Sequence, residues 1–520
     1  MKFKLNENNT KLTLVEANKD EYAQLKLSMS KYVKNYFFQA KYKMTKWDGR
    51  ISYMSEAGVI NFGLWYEAYK VCKEYGYPFQ IVNKEQFPID RTIVKEDVEK
   101  FCIDFLKDHK DEKDPNKPFT AYDHQMEAVY KILKHKYGII EVATSGGKSL
   151  IFCLTVFYYL KHINPNAKIL LVVPSIGLVT QFYNEIHNLN LGFYQENKNP
   201  LEIRIDEIMS DKPRKHFGGE PNIYIGVFNS LLNWPVEWFS QFDIISVDEG
   251  HYMKAKSLID IMERTFETSK IRFGMSGSYP AEGSAELFTI ESLTGPKLIN
   301  IKAKDLMEKG IISKVKIKGL ILNHNDRSFA ENVFAIKRGG NGKKAWELER
   351  NYAQASLPRK IFLSKLVGKF KQNSIVLFQN IAYGTELYNY FRDNIPGKDF
   401  YYIDGGTSKD KREAIRKELE NTEGNVKILV GSFGTMSTGI NIKAIVNLVF
   451  ADSFKSDRVV RQSIGRALRL HKDKDKAIIF DIVDQFHPDY KGTLFHHFQS
   501  RKNEIYIPQS YPYEELKCTV

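Results

Sequence analysis

Residues 137–150, Tyr-Gly-Ile-Ile-Glu-Val-Ala-Thr-Ser-Gly-Gly-Lys-Ser-Leu, decide the fold of this 520-residue chain. The apolar, β-branched composition of Tyr137–Thr144 is typical of a buried β-strand. Two glycines interrupt the pattern, and the apolar stretch Leu150–Leu160 that follows has the composition and length of a helix. A strand, a glycine loop and a helix in this order predict an α/β fold with a parallel sheet.

The loop after this strand has the composition of a phosphate-binding site. Glycines let backbone N–H groups close around phosphate oxygens, and the N-terminus of the next helix adds partial positive charge. Lys148 can reach the β- and γ-phosphates of ATP, and the Ser149 hydroxyl can bind Mg²⁺. Val142 stands where the full motif has a leading glycine. The alternative is a Gly-Gly turn before a surface lysine. The predicted nucleotide-binding residues of the loop are Thr144, Ser145, Gly146, Gly147, Lys148 and Ser149.

Similar apolar runs recur farther along the chain, each separated from the next by a helical stretch. Near-continuous apolar strands of this kind are typical of parallel sheets covered on both faces. The pattern pauses from about 300 to 355 and then resumes, so it predicts two successive parallel α/β units. The predicted strands are Tyr137–Thr144, Lys168–Pro174, Ile223–Phe228, Asp243–Asp248, Ile271–Ser276, Ser374–Gln379, Phe400–Asp404, Val426–Val430, Leu448–Ala451 and Ala477–Ile482.

The chain is too long for one ordinary core, and changes in pattern predict its divisions. A small N-terminal unit is expected at 1–110, followed by a polar linker with two prolines at 111–118. The first α/β unit is predicted at 119–305 and the second at 356–520. Between them, 306–355 is predicted to be a connector with a polar insertion at 326–350.

Composition narrows the class of protein. The chain has 76 Lys and Arg against 63 Asp and Glu, a net charge of +13, which permits a polyanionic partner. No apolar run approaches the roughly 18 residues that cross a bilayer, and the N-terminal residues have no apolar signal core. The four cysteines lie far apart without metal-type spacing. We therefore expect reduced thiols in a cytoplasm, which would be that of the host if the protein is viral.

An acidic pair, Asp248-Glu249, ends one of the predicted strands. Charge at the end of a buried strand is costly unless it binds something. Asp248 can hold Mg²⁺ through a water, and Glu249 can orient and deprotonate the water that attacks the γ-phosphate. His251 is placed to connect the pair to the next motif. The alternative is a solvated strand end that caps a helix.

In their order along the chain, these motifs resemble those of the superfamily-two helicases and translocases, in particular the DExH subgroup. The resemblance implies two RecA-like domains in tandem that drive movement on nucleic acid with ATP and Mg²⁺. The segments that resemble motifs I, Ia, II, III, IV, V and VI are Ala143-Thr-Ser-Gly-Gly-Lys-Ser149, Val173-Pro-Ser-Ile-Gly-Leu-Val-Thr-Gln181, Asp248-Glu-Gly-His251, Ser276-Gly-Ser278, Ser374-Ile-Val-Leu-Phe-Gln379, Gly434-Thr-Met-Ser-Thr-Gly-Ile-Asn441 and Gln462-Ser-Ile-Gly-Arg-Ala-Leu-Arg469.

The same resemblance implies that residues outside the phosphate-binding loop 144–149, called the P-loop below, also contact ATP. Gln462 would be a polar contact of the nucleotide, and Arg466 and Arg469 would be arginine fingers that stabilise charge on the transferred phosphoryl group. The segment around Tyr122 and Gln125 resembles the upstream glutamine motif, whose glutamine bonds the adenine edge while an aromatic ring packs near the base. For Gln462–Arg469 the alternatives are a basic helix with a solvated face and a helix that binds phosphate on nucleic acid. For Tyr122 and Gln125 the alternative is an ordinary helix start with a buried tyrosine.

Contacts to the nucleic-acid strand are expected from backbone N–H groups and small hydroxyls, which bind phosphates and carry little sequence information. Each candidate is equally suited to a turn or a helix cap. Gly439 of motif V is also assigned to the nucleotide site. The candidates are Ser175, Gly177, Thr180, Ser230, Thr407, Thr435 and Gly439.

Basic and aromatic residues alternate between positions 26 and 50, where Asp48 is the only acidic residue. Positive charge with rings that can stack is suited to nucleic acid. A basic solvated edge over a small aromatic core would have the same composition. The residues predicted to contact nucleic acid here are Lys41, Lys43, Trp47 and Arg50.

A narrower resemblance, to the UvsW-type phage helicases, spans nearly the whole chain. It is carried by Lys46-Trp-Asp-Gly-Arg50, Asn61-Phe-Gly-Leu64, Tyr122-Asp-His-Gln125 and Glu237-Trp-Phe-Ser-Gln-Phe242. It implies a small N-terminal α/β domain that helps to bind duplex or branched DNA. It also implies branch migration, fork regression and the unwinding of RNA–DNA hybrids in replication and recombination-dependent repair.

Three other functions remain open at this point. A duplex DNA translocase that never separates strands shares all of these motifs. An RNA helicase has the same motor, because the motifs do not report the 2′-hydroxyl. A non-enzymatic DNA-binding scaffold would have a decayed nucleotide site, and the intact Lys148, Asp248, Glu249, Arg466 and Arg469 argue against it.

Overall fold

The structure is a computed structural model that describes residues 1–107, 109, 119–194, 202–209, 220–437, 442, 444–453, 460–461, 463–465 and 476–520. It divides into two compact units, Met1–Val142 with Gly147–Ile301, and Ala143–Gly146 with Lys302–Val520. None of the described helices is both long enough and apolar enough to cross a membrane.

The first unit begins with a small α/β domain built on a four-stranded mixed sheet of order β5-β2-β1-β6, beside a two-stranded ribbon of β3 and β4. Its strands are β1 (Lys2–Leu5), β2 (Lys11–Glu16), β3 (Ser30–Tyr32), β4 (Arg50–Ser52), β5 (Val59–Asn61) and β6 (Gln80–Ile81). Its helices are α1 (Lys19–Ser28), α2 (Ala40–Met44), α3 (Trp65–Glu74) and α4 (Lys95–Leu106), with short 3-10 helices at Tyr36–Phe38, Phe62–Leu64 and Lys84–Gln86.

The rest of the first unit is a seven-stranded sheet of order β13-β7-β12-β11-β8-β10-β9, in which all the pairs are parallel. Its strands are β7 (Tyr137–Val142), β8 (Ile169–Val173), β9 (Ile205–Ile208), β10 (Ile223–Val227), β11 (Ile244–Asp248), β12 (Ile271–Ser276) and β13 (Lys297–Ile301). Its helices are α5 (Asp123–His135), α6 (Lys148–His162), α7 (Ile176–Tyr194), α8 (Phe228–Leu231), α9 (Lys256–Arg264) and α10 (Ala285–Thr294), with 3-10 helices at Val236–Gln241 and Gly250–Lys254.

Alternate residues of these strands enter two different cores, one on each face of the sheet. Ile140 and Leu171 belong to one core, whereas their chain neighbours Ile139 and Leu170 belong to the other. Side chains alternate along a strand, so apolar residues at consecutive positions require helices on both faces.

The second unit contains another seven-stranded, all-parallel sheet, of order β16-β17-β15-β18-β19-β14-β20. Its strands are β14 (Lys314–Asn323), β15 (Ser374–Phe378), β16 (Lys398–Ile403), β17 (Val426–Ser432), β18 (Asn447–Phe450), β19 (Lys476–Gln485) and β20 (Tyr513–Thr519). Its helices are α11 (Ala303–Glu308), α12 (Arg327–Arg338), α13 (Gly342–Ala355), α14 (Leu357–Gly368), α15 (Ile381–Asn394), α16 (Lys409–Glu420) and α17 (Phe433–Ser437), with a last helix at Thr493–Arg501 and a π-helical turn at Lys502–Tyr506.

The predicted fold class is confirmed, because two all-parallel sheets in tandem follow a small α/β domain. The interval predicted as a connector, 306–355, contains β14 of the second sheet, followed by α12 and α13. The Gly-rich segment within it is the tight turn between those two helices, where Asn341 accepts a bond from the Lys344 N–H and caps α13. The predicted linker, 111–118, lies outside the described residues.

The N-terminal domain packs on α10 of the same unit. Tyr137 and Phe288 belong to its hydrophobic core, and the Tyr53 hydroxyl donates to the carbonyl oxygen of Ala285 at 2.6 Å. Gly63 lies so close to α10 that a Cβ atom there would collide with the carbonyl oxygen of Glu291. The first residue of the P-loop strand is therefore also part of the N-terminal core.

Candidate active site

The loop between β7 and α6 has the conformation that its glycines predict. Ser145 and Gly147 have φ angles of +68° and +82°, in the left-handed region. The Gly146 N–H donates to the carbonyl oxygen of Ala143 at 3.0 Å, which closes the turn. Lys148 Nζ bends back to the carbonyl oxygen of Val142 at 3.3 Å. The lysine ammonium thus lies over the loop, at the N-terminus of a 15-residue helix.

Gln125 lies directly against this loop, which the sequence pattern did not reveal. A Cβ atom on Gly147 would collide with Nε2 of Gln125, and its φ of +82° is one that side chains rarely adopt, so a substitution there would displace Gln125 and strain the loop. The side chain of Gln125 is buried, and its Oε1 accepts a bond from the Tyr122 N–H at 2.8 Å. The residue predicted to contact adenine is therefore held by the start of its own helix and packs on the P-loop.

Asp248 and Glu249 stand at the carboxyl end of β11, in different environments. Asp248 is buried, and desolvation, with a further contribution from the Glu249 charge, raises its pKa to about 7, while Lys148 acts in the opposite direction. Glu249 starts the 3-10 helix with a φ of +52°, an uncommon conformation for a residue with a side chain. The strand end therefore presents one buried and one more accessible carboxylate.

His251 connects this pair to the end of β12. Its Nδ1 is 2.8 Å from Ser276 Oγ and 3.3 Å from Glu249 Oε2. The Ser276 hydroxyl donates to the carbonyl oxygen of Ser278 at 2.8 Å. Because the single hydroxyl proton of Ser276 is used in that bond, Nδ1 of His251 must be the donor to Ser276. Motif II and motif III thus share one hydrogen-bond network.

Tyr279 is a neighbour of the acidic pair that sequence reasoning missed. Its hydroxyl would lie 2.5 Å from a Cβ atom on Gly250, and among the residues that the structure describes it has no hydrogen-bond partner. Burial raises the pKa of this hydroxyl well above its usual range, and the charges of Glu141, Asp248 and Glu249 act in the same direction. No motif marks this tyrosine, because its contact is with Gly250, in the 3-10 helix that follows β11.

The donor set fits a nucleotide with Mg²⁺. The loop is a cradle that a side chain at Gly147 would fill, with a lysine ammonium and a helix N-terminus facing it. A buried carboxylate with a raised pKa gains most from a nearby cation, and Mg²⁺ is usually held by one or two carboxylates together with substrate phosphates. Ser149 and Asp248 are the residues that would hold it.

The residues of the first unit that are predicted to contact nucleic acid lie at the carboxyl ends of its parallel β-strands. Ser175 immediately precedes α7, Gly177 and Thr180 lie in the first two turns of that helix, and Ser230 lies in α8 after β10. Strands β8 and β10 are parallel neighbours whose ends, Val173 and Val227, are in register. These residues therefore share the edge at which Asp248 ends β11, where ligands bind in open α/β sheets.

The two predicted contacts of the second unit also follow neighbouring strands. Thr407 lies after β16, where its hydroxyl donates to Asp404 Oδ1 at 3.2 Å in a tight turn. Thr435 lies after β17, is buried, and its hydroxyl is 2.8 Å from that of Ser432. Both hydroxyls thus have local partners, while the backbone around them stays at the carboxyl edge of the sheet.

The N-terminal candidates divide into exposed and engaged side chains. Lys41 and Lys43 are exposed on α2. Trp47 donates from Nε1 to the carbonyl oxygen of Arg50 at 2.7 Å, and Arg50 lies over the Tyr32 ring at 4.2 Å. The tryptophan and the arginine therefore also hold the base of the β3–β4 ribbon together.

Four predicted residues lie outside the described parts of the chain: Gly439, Gln462, Arg466 and Arg469.

Three protein-family models match the chain. The DEAD/DEAH box helicase model matches residues 122–285, and the helicase conserved C-terminal domain model matches 359–471. The model described as DNA helicase UvsW, N-terminal, matches residues 2–82. These matches fall on the small domain and on part of each seven-stranded sheet, while β13, β14, β19 and β20 lie outside the matched ranges.

Relatives of this chain include a protein of a phage and a protein of an archaeon. The chain is 28% identical over 477 residues to the ATP-dependent DNA helicase uvsW of Enterobacteria phage T4, with 90% of this chain and 88% of the relative aligned. It is 24% identical to a DNA 3'-5' translocase of Sulfurisphaera tokodaii, with 71% and 82% aligned. A solved ATP-dependent Type ISP restriction-modification enzyme bound to DNA matches with a TM-score of 0.54 and 13% identity over 87% of this chain and 34% of its own, a likeness of fold alone.

Proposed function

The chain belongs to the UvsW-type DEAD/DEAH box helicases, which are ATP-dependent enzymes that act on nucleic acid, and we propose that its substrate is branched DNA. The observation that carries the proposal is the combination of a UvsW-type N-terminal domain with the motor. That domain distinguishes this chain from general members of the superfamily. The proposed activities are branch migration, fork regression and the unwinding of RNA–DNA hybrids in replication and recombination-dependent repair.

The proposed chemistry uses the residues around the P-loop. Lys148 and the loop N–H groups bind the β- and γ-phosphates of ATP. Mg²⁺, when bound by Ser149 and Asp248, would neutralise phosphate charge. Glu249 accepts the proton of the water that attacks the γ-phosphate, because its carboxylate is the more accessible of the pair. His251 links Glu249 to Ser276, because its Nδ1 donates to Ser276 Oγ and lies 3.3 Å from Glu249 Oε2. The roles of Gln462, Arg466 and Arg469 stay predictions.

The proposal is tested by measuring ATP hydrolysis and strand separation with a panel of ligands. The panel contains single-stranded DNA, linear duplex, a fork, a four-way junction and an RNA–DNA hybrid, at equal nucleotide concentration. We expect the fork and the junction to stimulate hydrolysis most and to be resolved in an ATP-dependent reaction. Lys148→Ala protein serves as the control for contaminating activity.

Each alternative function gives a different result on the same panel. Stimulation by duplex DNA without resolution of any branched ligand would identify a translocase that does not separate strands. Stimulation by RNA alone would identify an RNA helicase. Either result would contradict the proposed substrate while leaving the assignment to the helicase family intact.

A further inference from the structure

Residues 33–49, the segment between β3 and β4, carry Phe38, the most exposed of the large hydrophobic aromatic side chains in the N-terminal domain. Phe37 and Phe38 are 49% and 71% exposed, and Met44, at the end of α2, is 82% exposed. We call Phe37 and Phe38 the aromatic tip. Large apolar side chains are rarely left in water together without a partner.

The segment that carries the tip is a folded element. The Val33 N–H donates to the carbonyl oxygen of Gly49 at 2.9 Å, and the Phe38 N–H donates to that of Asn35 at 3.0 Å. Gly49, with a φ of +89°, allows the Tyr36 ring to pack where a Cβ atom would collide with it. The ring of Tyr36 stacks on Tyr32 at 5.1 Å. The tip is therefore presented by a braced hairpin.

Positive charge surrounds the tip. The segment contains four exposed lysines and one acidic residue, Asp48, whose carboxylate accepts a bond from the Arg50 N–H at 3.0 Å. Lysines bind the phosphates of the DNA backbone, whereas contact with those phosphates does not favour burial of an aromatic ring. Rings gain free energy when they stack on bases, and the bases of a duplex are accessible only where the stack ends, as at a branch point. The lysines are Lys34, Lys41, Lys43 and Lys46.

We infer that the aromatic tip stacks on the exposed face of the terminal base pair at a DNA branch point while the surrounding lysines hold the adjacent phosphates. The inference rests on the proposed function and adds to it the surface that selects branched over linear DNA. Phe38 is the principal stacking residue because its ring is the more exposed of the two. Phe37, whose ring centroid lies 4.4 Å from that of Phe38, supports it.

The test compares full-length wild type with Phe38→Ala, Phe38→Leu, Phe38→Trp and the Phe37→Ala/Phe38→Ala double variant. Binding to a fork and to a linear duplex of equal length is measured by fluorescence anisotropy. A 2-aminopurine base at the branch point reports stacking directly. Leu27→Ala is the matched control, because Leu27 is an apolar residue of the same domain that is 52% exposed. Thermal melting checks that each variant is folded.

We expect Phe38→Ala to reduce the fork-to-duplex affinity ratio by roughly fivefold to a hundredfold, the range for loss of one stacked base. Phe38→Trp should keep the ratio and the 2-aminopurine signal, whereas Phe38→Leu should lose both because it keeps apolar bulk without a flat ring. Leu27→Ala should match wild type.

Two outcomes overturn the inference, and they are distinguishable. If wild type prefers forks and every tip variant keeps that ratio and signal, the tip does not contact the branch point and the proposed function stands. If wild type binds forks and linear duplex equally, the proposed substrate fails together with the inference.

Discussion

Glu249 combines a left-handed backbone conformation with a carboxylate 3.3 Å from His251 Nδ1. A non-glycine residue in this region costs about 1 kcal/mol or more and persists only where its surroundings impose it. Here the turn after β11 imposes it, and as a result Asp248 stays buried while Glu249 points to the accessible side. Two adjacent carboxylates thereby acquire different proposed tasks.

Removal of either charged group of the proposed site should abolish hydrolysis. Lys148→Ala removes the ammonium over the loop, and Glu249→Gln removes the proton acceptor, so each should reduce kcat of DNA-stimulated ATP hydrolysis by at least about a hundredfold. Lys161→Ala, at the other end of the same helix, is the matched control and should retain the wild-type rate. DNA binding of both site variants should remain measurable. A wild-type rate in either would refute the site assignment.

Glu291 gives a pH dependence of stability with a definite sign. It is 4% exposed, and its Oε2 has no hydrogen-bond partner within the described part of the chain. Burial, with the charges of Glu67 and Glu282, raises its pKa from 4.5 to about 8. Between these values the folded protein binds a proton that the unfolded chain releases, so the free energy of unfolding falls as pH rises.

Glu291→Gln removes this penalty. The variant should be about as stable as wild type near pH 4.5 and increasingly more stable toward pH 8, by up to about 1.4 kcal/mol per pH unit. Thermal melting of both proteins between pH 5 and pH 8.5 measures the difference. Glu202→Gln, at an exposed position, should leave the profile unchanged. Parallel profiles for wild type and Glu291→Gln would show that the carboxyl is charged in the folded protein.

The short 3-10 helix Phe62–Leu64 is one of the elements of the N-terminal domain that contact α10. Its close approach depends on a missing side chain, since the nearest atoms to a Cβ on Gly63 belong to the backbone of α10. Backbone atoms cannot rotate away as a flexible side chain can, so the two elements are matched in shape at this point.

Gly63→Ala should therefore destabilise the protein by about 1–3 kcal/mol, the usual cost of overpacking, and lower the melting temperature. Gly342→Ala is the control of identical chemistry, because Gly342 begins α13 and a Cβ there has open space. It should be neutral or slightly stabilising. If the Gly63→Ala protein had the melting temperature of wild type, α10 would have to move away without a loss in free energy of unfolding.

The strands that could be predicted from sequence are mostly buried apolar runs, as in β8 and β11. The edge strand β16 was also predicted, although most of its side chains are only partly buried. The strand β14 was missed because its lysines at alternate positions resemble a solvated segment, although it pairs along its whole length with β19. β20 is an edge strand with several exposed side chains, so it lacks the apolar run that marks a central strand.

The candidate site shows the same limit. The P-loop and the acidic pair are marked by local spacing, so they could be predicted. The contacts of Gln125 with Gly147 and of Tyr279 with Gly250 join residues far apart in the chain, and no local pattern specifies them.

At the scale of the whole molecule, the positive charge should contribute to binding the same nucleic acid on which the two α/β domains act. The chain has a net charge of +13, and the exposed lysines of 33–49 place part of it on the N-terminal domain. Binding that depends on phosphate contacts releases counterions and weakens with salt in proportion to the number of contacts. The slope of the log association constant against log salt concentration therefore reports how many lysines contact DNA phosphates.

Lys41→Ala/Lys43→Ala should reduce the magnitude of the slope of log association constant against log salt by about 2, one unit for each lost phosphate contact. The slope is measured by titration of duplex DNA at several salt concentrations. Lys304→Ala, an exposed lysine that pairs with Glu308, should leave it unchanged. An unaltered slope in the double variant would place the DNA away from α2.

The sharing of Tyr137 and Phe288 with the N-terminal core bears on how a shortened form of this protein would behave. A truncated chain without the small domain would expose both rings to water, as an apolar patch on β7 and α10. Such a fragment would tend to aggregate, and the activity lost through aggregation would be mistaken for the loss of a DNA contact. A point change at an exposed residue of the small domain separates the two effects, whereas trimming merges them.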